Sequence, residues 1–159
     1  MILDRDRLAL AVARRQAAGE TGVLTNGCFD LLHVGHLRAL QQARALGDFL
    51  IVGLNTDAGV QRLKGPDRPL LPQDERAELL DALRCVDYVT FFDEPTALEL
   101  AAQLAPRVYV KSEEYAAKPL PERAVVEAAG GRVVLVPIIE GRSTTQLMAR
   151  IVALGSEAR

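Results

Sequence analysis

Both histidines of the chain lie in Gly27-Cys-Phe-Asp-Leu-Leu-His33-Val-Gly-His36, three residues apart around Gly35. Imidazoles so placed can donate hydrogen bonds to phosphate oxygens, and their ordinary pKa of about 6.5 responds to a bound anion. The pair follows a short apolar run and precedes a stretch of helical period. A helix beginning there adds unpaired N–H groups and about half a positive charge, which makes the spot an anion site. Gly27 and Gly35 let the backbone approach a ligand as bulky as a triphosphate. A histidine pair at a helix start can also be a cap and a solvated side chain; here the glycines, Asp30 and the strand–turn–helix setting favour the phosphate reading. Zinc would need further Cys, His or carboxylate ligands, so no metal ligands are assigned.

Other side chains suit the same chemistry. Lys64, in Lys64-Gly-Pro-Asp-Arg68-Pro, is an ammonium beside a flexible glycine, able to reach phosphates across a cleft or to remain a solvated surface lysine. Asp74 and Glu75 suit a helix N-terminus, and Arg76 beside them could hold a loop by pairing with Glu75 or Asp30. Lys111 ends the apolar Val108-Tyr-Val run, which puts its charge at the end of a strand. Glu140-Gly-Arg142-Ser143-Thr144-Thr145 precedes the last helical stretch; Ser143 is a good cap, and Arg142 makes this a second helix start suited to phosphates.

These residues need a frame that brings them together. Short β-branched runs predict strands over 22–26, 49–55, 86–92, 107–111 and 132–137. Between and around them, helical periods predict helices over 4–18, 34–46 (stopped by Gly47), 73–84, 95–104, 121–129 and 143–154. That alternation is the pattern of an α/β fold, a Rossmann-like doubly wound five-stranded parallel sheet with flanking helices. Ligands in such a sheet sit at the carboxyl ends of the strands where strand order reverses, beside the first strand. The connections 56–72 and 112–120 are long, and the first is a candidate active-site loop. A single domain over 1–159 is expected, with its core at about 20–153. A net charge of −2 gives no bulk attraction for nucleic acid or an anionic membrane, so neither is expected as a partner. No apolar run approaches the ~20 residues of a membrane span and the N-terminus carries no signal pattern, so a cytoplasmic location with reduced Cys28 and Cys85 is expected.

The stretch from Gly27 to His36 resembles the signature of the cytidylyltransferase-like nucleotidyltransferases. Within that group, the chain is similar to ADP-heptose synthase domains over about residues 20–153. The resemblance implies nucleotidyl transfer with Mg²⁺ accompanying the nucleoside triphosphate, and partners of ATP or CTP and a small phosphorylated acceptor; it also admits a homodimer. It implies catalytic roles for His33, His36, Lys64 and Arg142. Nucleotide contacts are implied for Asn26, Gly27, Cys28, Phe29, His33, His36, Asn55, Arg76, Arg142, Ser143, Thr144 and Thr145, and acceptor contacts for Asp30, Lys64, Lys111 and Glu114. After Lys111 the family usually has two glycines, an acid and an aromatic; here Ser112 and Glu113 replace the glycines, so their side chains are expected to narrow or recharge the acceptor site. ATP with heptose 1-phosphate is the first expectation and CTP with glycerol 3-phosphate the second. A nucleotide-binding module with little turnover is the third.

Overall fold

In the computed structural model, which describes residues 1–137 and 144–157 with side chains as far as 154, strands β1 (Gly22–Gly27), β2 (Phe49–Asn55), β3 (Tyr88–Phe92), β4 (Val108–Ser112) and β5 (Arg132–Val136) form one parallel sheet. Their order is β3-β2-β1-β4-β5. Helices cover both faces, which is why β2 reads as an unbroken apolar run and every residue in it is buried. Val23, Leu50, Val52, Leu54, Val108 and Val110 point to one face, where they meet Leu40 and Ala43 of α2 (Val34–Arg44) and Ala77 and Leu80 of α4 (Gln73–Asp81). Leu24, Phe49, Ile51 and Tyr109 point to the other, against α1 (Arg5–Ala17), α5 (Leu98–Leu104) and α6 (Glu122–Ala128) through Leu8, Val12, Leu100 and Val126. Each such fully buried aliphatic side chain contributes roughly 1.5–3 kcal/mol. Strand order reverses at β1, and the crevice between the ends of β1 and β4 is the expected ligand site.

The architecture agrees with the doubly wound fold expected from the sequence, with local differences. The 56–72 connection is not one long loop: α3 (Asp57–Lys64) occupies its first half, capped by Thr56, whose hydroxyl accepts from the Gly59 amide at 3.1 Å. Only Gly59 and Val60 of α3 are buried, too few to leave a periodic signal. Helix α2 ends at Arg44, before Gly47. Gly47 answers to a close approach instead, because a Cβ there would lie 2.5 Å from the Thr21 carbonyl oxygen and 2.6 Å from Val23 Cγ2. Residues 1–3 run along the edge of β3, with the Leu3 amide donating to the Val89 carbonyl at 2.9 Å and the Val89 amide to the Met1 carbonyl at 3.0 Å. Helix α7 (Thr144–Glu157) closes the described chain. Among the described residues, no helix is long and apolar enough to cross a membrane.

Candidate active site

The chain leaves β1 through Phe29 at φ 44°, a left-handed conformation uncommon outside glycine. What holds it there is Asp30, 2% exposed, whose carboxylate accepts from the Leu70 and Leu71 amides at 2.8 and 3.1 Å and from Arg68 Nε at 2.6 Å. Burial alone would push Asp30 up, but those amides and the guanidinium outweigh it and keep the carboxyl below its ordinary range. Asp30 is therefore committed to the 68–71 loop and lies outside the cleft lining, which corrects its expected role in acceptor contact.

His33 caps α2: its Nδ1 accepts from the Gly35 amide at 3.1 Å. A ring nitrogen that accepts carries no proton, so neutral His33 carries its proton on Nε2 and donates from there. The His36 ring stacks on it at 3.9 Å between centroids and 26° between planes, with the Phe29 ring 5.3 Å away. Burial, then the neighbouring His33 and Lys64, lower the pKa of His36 to about 4, and burial lowers His33 as well. Both rings are thus held neutral at neutral pH, ready to serve as uncharged donors.

Across the crevice, Asn26 at the end of β1 meets Lys111 at the end of β4, whose ammonium donates to Asn26 Oδ1 at 3.0 Å and lies 4.5 Å over the Tyr115 ring. Burial lowers the pKa of Lys111, while Glu122 opposes that shift. The Tyr109 hydroxyl donates to the same Asn26 oxygen at 2.6 Å. Cys28 donates weakly from Sγ to Asn55 Oδ1 at 3.8 Å, and burial raises its thiol pKa, so it stays protonated.

These groups surround a cleft of about 650 Å³. Among the expected residues, Asn26, Gly27, Cys28, Phe29, His33, His36, Asn55, Lys64, Lys111, Glu114, Thr144 and Thr145 line it. Arg76 does not. Fully buried, it donates to the carbonyls of Leu71, Cys28 and Asn55 at 3.0, 2.5 and 3.0 Å and to Asp57 Oδ1 at 2.7 Å. Its expected nucleotide contact is corrected to a positioning one: it ties the turn after β1 to the end of β2, and neither Glu75 nor Asp30 is its partner. Arg142 and Ser143 lie outside the described residues. Ser112 lines the cleft as expected, whereas Glu113, exposed in a 3₁₀ turn (Glu113–Tyr115), does not. Sequence reasoning missed Tyr109, Tyr115 and Glu122. Tyr109 reads as a core residue within an apolar strand, and Glu122, 4% exposed and accepting from the Ala97 amide at 2.9 Å, reads as an ordinary charge at a helix start.

Residues 24–147 match the family model described as Cytidylyltransferase-like, so the match takes in the histidine pair, the switch point and the start of α7. The chain belongs to that family. It is a nucleotidyltransferase. Proteins similar to this chain include two named Bifunctional protein HldE. The one from Citrifermentans bemidjiense is 52% identical over 152 residues, spanning 96% of this chain and 31% of that protein. The one from Geobacter sulfurreducens is 52% identical over 153 residues, with the same two shares. The chain thus spans about a third of the length of the curated relatives it matches. A solved structure, that of the lipopolysaccharide core biosynthesis protein from Thermoplasma volcanium, superposes with a TM-score of 0.60 at 25% identity, covering 78% of this chain and all of that one.

Proposed function

We propose that this domain transfers the adenylyl group of ATP to the phosphate of a sugar 1-phosphate, heptose 1-phosphate first among them, giving an ADP-sugar and pyrophosphate. The observation that carries the reading is the polar lining of the cleft at the switch point: two neutral imidazoles on one wall, Lys64 and Lys111 on the others. That donor set suits two phosphates brought together in line. The resemblance to ADP-heptose synthase domains and the similarity to the HldE proteins support the choice of base and acceptor.

An oxygen of the acceptor phosphate forms a bond to the α-phosphorus while the bond from that phosphorus to the pyrophosphate oxygen breaks, and pyrophosphate leaves with the electron pair. No protein nucleophile is needed, and the protonated Cys28 thiol is not one. His33 Nε2–H and the His36 ring donate to the α-phosphate as its nonbridging oxygens gain charge. Lys64 and Lys111 hold the acceptor or pyrophosphate oxygens. Removing one such donor costs on the order of 10²–10³ in rate. Mg²⁺ would neutralise triphosphate charge. Among the described residues no three His, Cys, Asp or Glu side chains converge to cage it, so the fit is to a magnesium held mainly by phosphate oxygens and water.

A second reading, CTP with glycerol 3-phosphate, is favoured by Ser112, whose side chain occupies the cleft wall where the resembled family has glycine. The test is pyrophosphate release from ATP and CTP, each with heptose 1-phosphate and with glycerol 3-phosphate. ATP with the sugar phosphate is the expected active pair, and His36→Ala is expected to lower its kcat by about 10²–10³. Activity only with CTP moves the assignment to the second reading. Nucleotide binding without release in any pairing makes the domain a binding module, and a His36→Ala rate within a factor of three of wild type removes the mechanism.

A further inference from the structure

Asn26, Tyr109 and Lys111 project from the same face of the sheet. Strands β1 and β4 are neighbours in parallel register, with Leu24 beside Tyr109 and Thr25 beside Val110, and side chains alternate along each strand. Leu24 and Tyr109 face α5 and α6, so Asn26 and Lys111, two residues on, face the same way at the mouth of the crevice. The Tyr109 hydroxyl and the Lys111 ammonium then converge on one atom, Asn26 Oδ1, at 2.6 and 3.0 Å. Two donors on that oxygen leave the amide one orientation, with its oxygen toward the core and its NH₂ group turned the other way. Among the described residues nothing accepts from that NH₂ group, and Asn26 lines the cleft.

We propose that Tyr109 is a positioning residue, which fixes the Asn26 amide so that its N–H groups donate to a phosphate oxygen of the bound nucleoside triphosphate. The inference rests on the reading of the cleft as the nucleotide site. An amide has two faces of opposite polarity. Released, Asn26 could turn its oxygen toward the anion, and a donor would become a repelling acceptor. Lys111 alone fixes it less well, because a four-carbon stem leaves the ammonium free to swing toward the phosphates. The phenol of Tyr109 is fully buried and its rigid ring is packed among Leu24, Leu100 and Val126, which holds its hydroxyl against Asn26 Oδ1. Burial, and then the nearby Glu122 carboxylate, hold that phenol in its protonated, donating form.

The test is a double-mutant cycle on nucleotide affinity, read by calorimetry with ATP or CTP and Mg²⁺ on wild type, Tyr109→Phe, Asn26→Ala and the double variant. Tyr109→Phe is expected to weaken binding about tenfold, Asn26→Ala at least as much, and the double variant no more than Asn26→Ala alone. An unchanged Kd in Tyr109→Phe overturns the proposal, as do losses that add, since a residue acting through Asn26 has nothing left to act on once the amide is gone. Should Tyr109→Phe not fold, the wild-type side-chain amide resonance of Asn26 decides: it is expected to shift on titration with inorganic tripolyphosphate, and a static resonance while the backbone amides of residues 33–36 move overturns the proposal. Failure of the wild type to bind either nucleotide is a different result, which removes the nucleotide site and this inference with it.

Discussion

His36 and His33 are stacked and half-buried; burial lowers the pKa of both, and the neighbouring His33 and Lys64 lower His36 further. That fall has a thermodynamic consequence. His36 has a folded-state pKa of about 4 against an ordinary 6.5, so between these values the unfolded chain binds the extra proton and the folded chain does not. Stability rises with pH wherever the unfolded state holds more protons, so the contribution is fully present above about pH 6.5 and is lost as pH drops toward 4. Urea titrations are expected to show a loss on the order of 3 kcal/mol across that window, beyond that of His36→Gln, which has no imidazole to charge. Equal pH dependence in the two proteins would show that His36 titrates normally. The placement of the histidines at a helix start was legible in the sequence; their stacking and the tautomer of His33 were not, because both depend on the angle at which α2 leaves β1.

At the scale of elements, the cleft depends on one guanidinium. Arg76 reaches from the first turn of α4 to carbonyls at the ends of β1 and β2 and at Leu71, and to the first turn of α3 through Asp57. Replacing it with methionine keeps the volume but leaves three carbonyls, that of Asn55 buried, and a carboxylate without their donor. Arg76→Met is expected to lower unfolding stability by about 3 kcal/mol in urea denaturation. A loss below about 1 kcal/mol would mean that water takes over those bonds. The residues placed Arg76 at a helix start, where it could hold a loop, and the family resemblance gave its charge to a ligand. The same happened to Asp30, whose partners in the 68–71 loop lie about forty residues away. An isolated charged residue in a loop or first helical turn carries no mark of whether it faces inward or outward.

For the whole molecule, a net charge of −2 surrounds a cleft lined by His33, His36, Lys64 and Lys111, so the proposed anion site is a local feature of the switch point. A nucleotide that binds there stabilises the folded state by mass action, by about 2.7 kcal/mol at a hundred times its Kd. ATP with Mg²⁺ is expected to raise the melting temperature by several degrees and CTP by less; the opposite ranking would favour the cytidylyl reading, and no rise with either would leave the cleft without its nucleotide.

The sequence by itself determined the parallel α/β sheet, the position of its ligand edge and the placement of the histidines at the start of α2. These are written in short-range pattern: unbroken apolar runs for strands covered on both faces, helical period between them, and a glycine-flanked turn. Only the tertiary structure decided that Asp30 and Arg76 brace the site rather than touch a ligand, that Gly47 makes room for the Thr21 carbonyl, and that Tyr109 and Lys111 meet on the oxygen of Asn26. Apart from Leu71, five residues before Arg76, those partners are 19 to 85 residues apart along the chain. Their meeting depends on strand register and crossover packing, which no local spacing encodes.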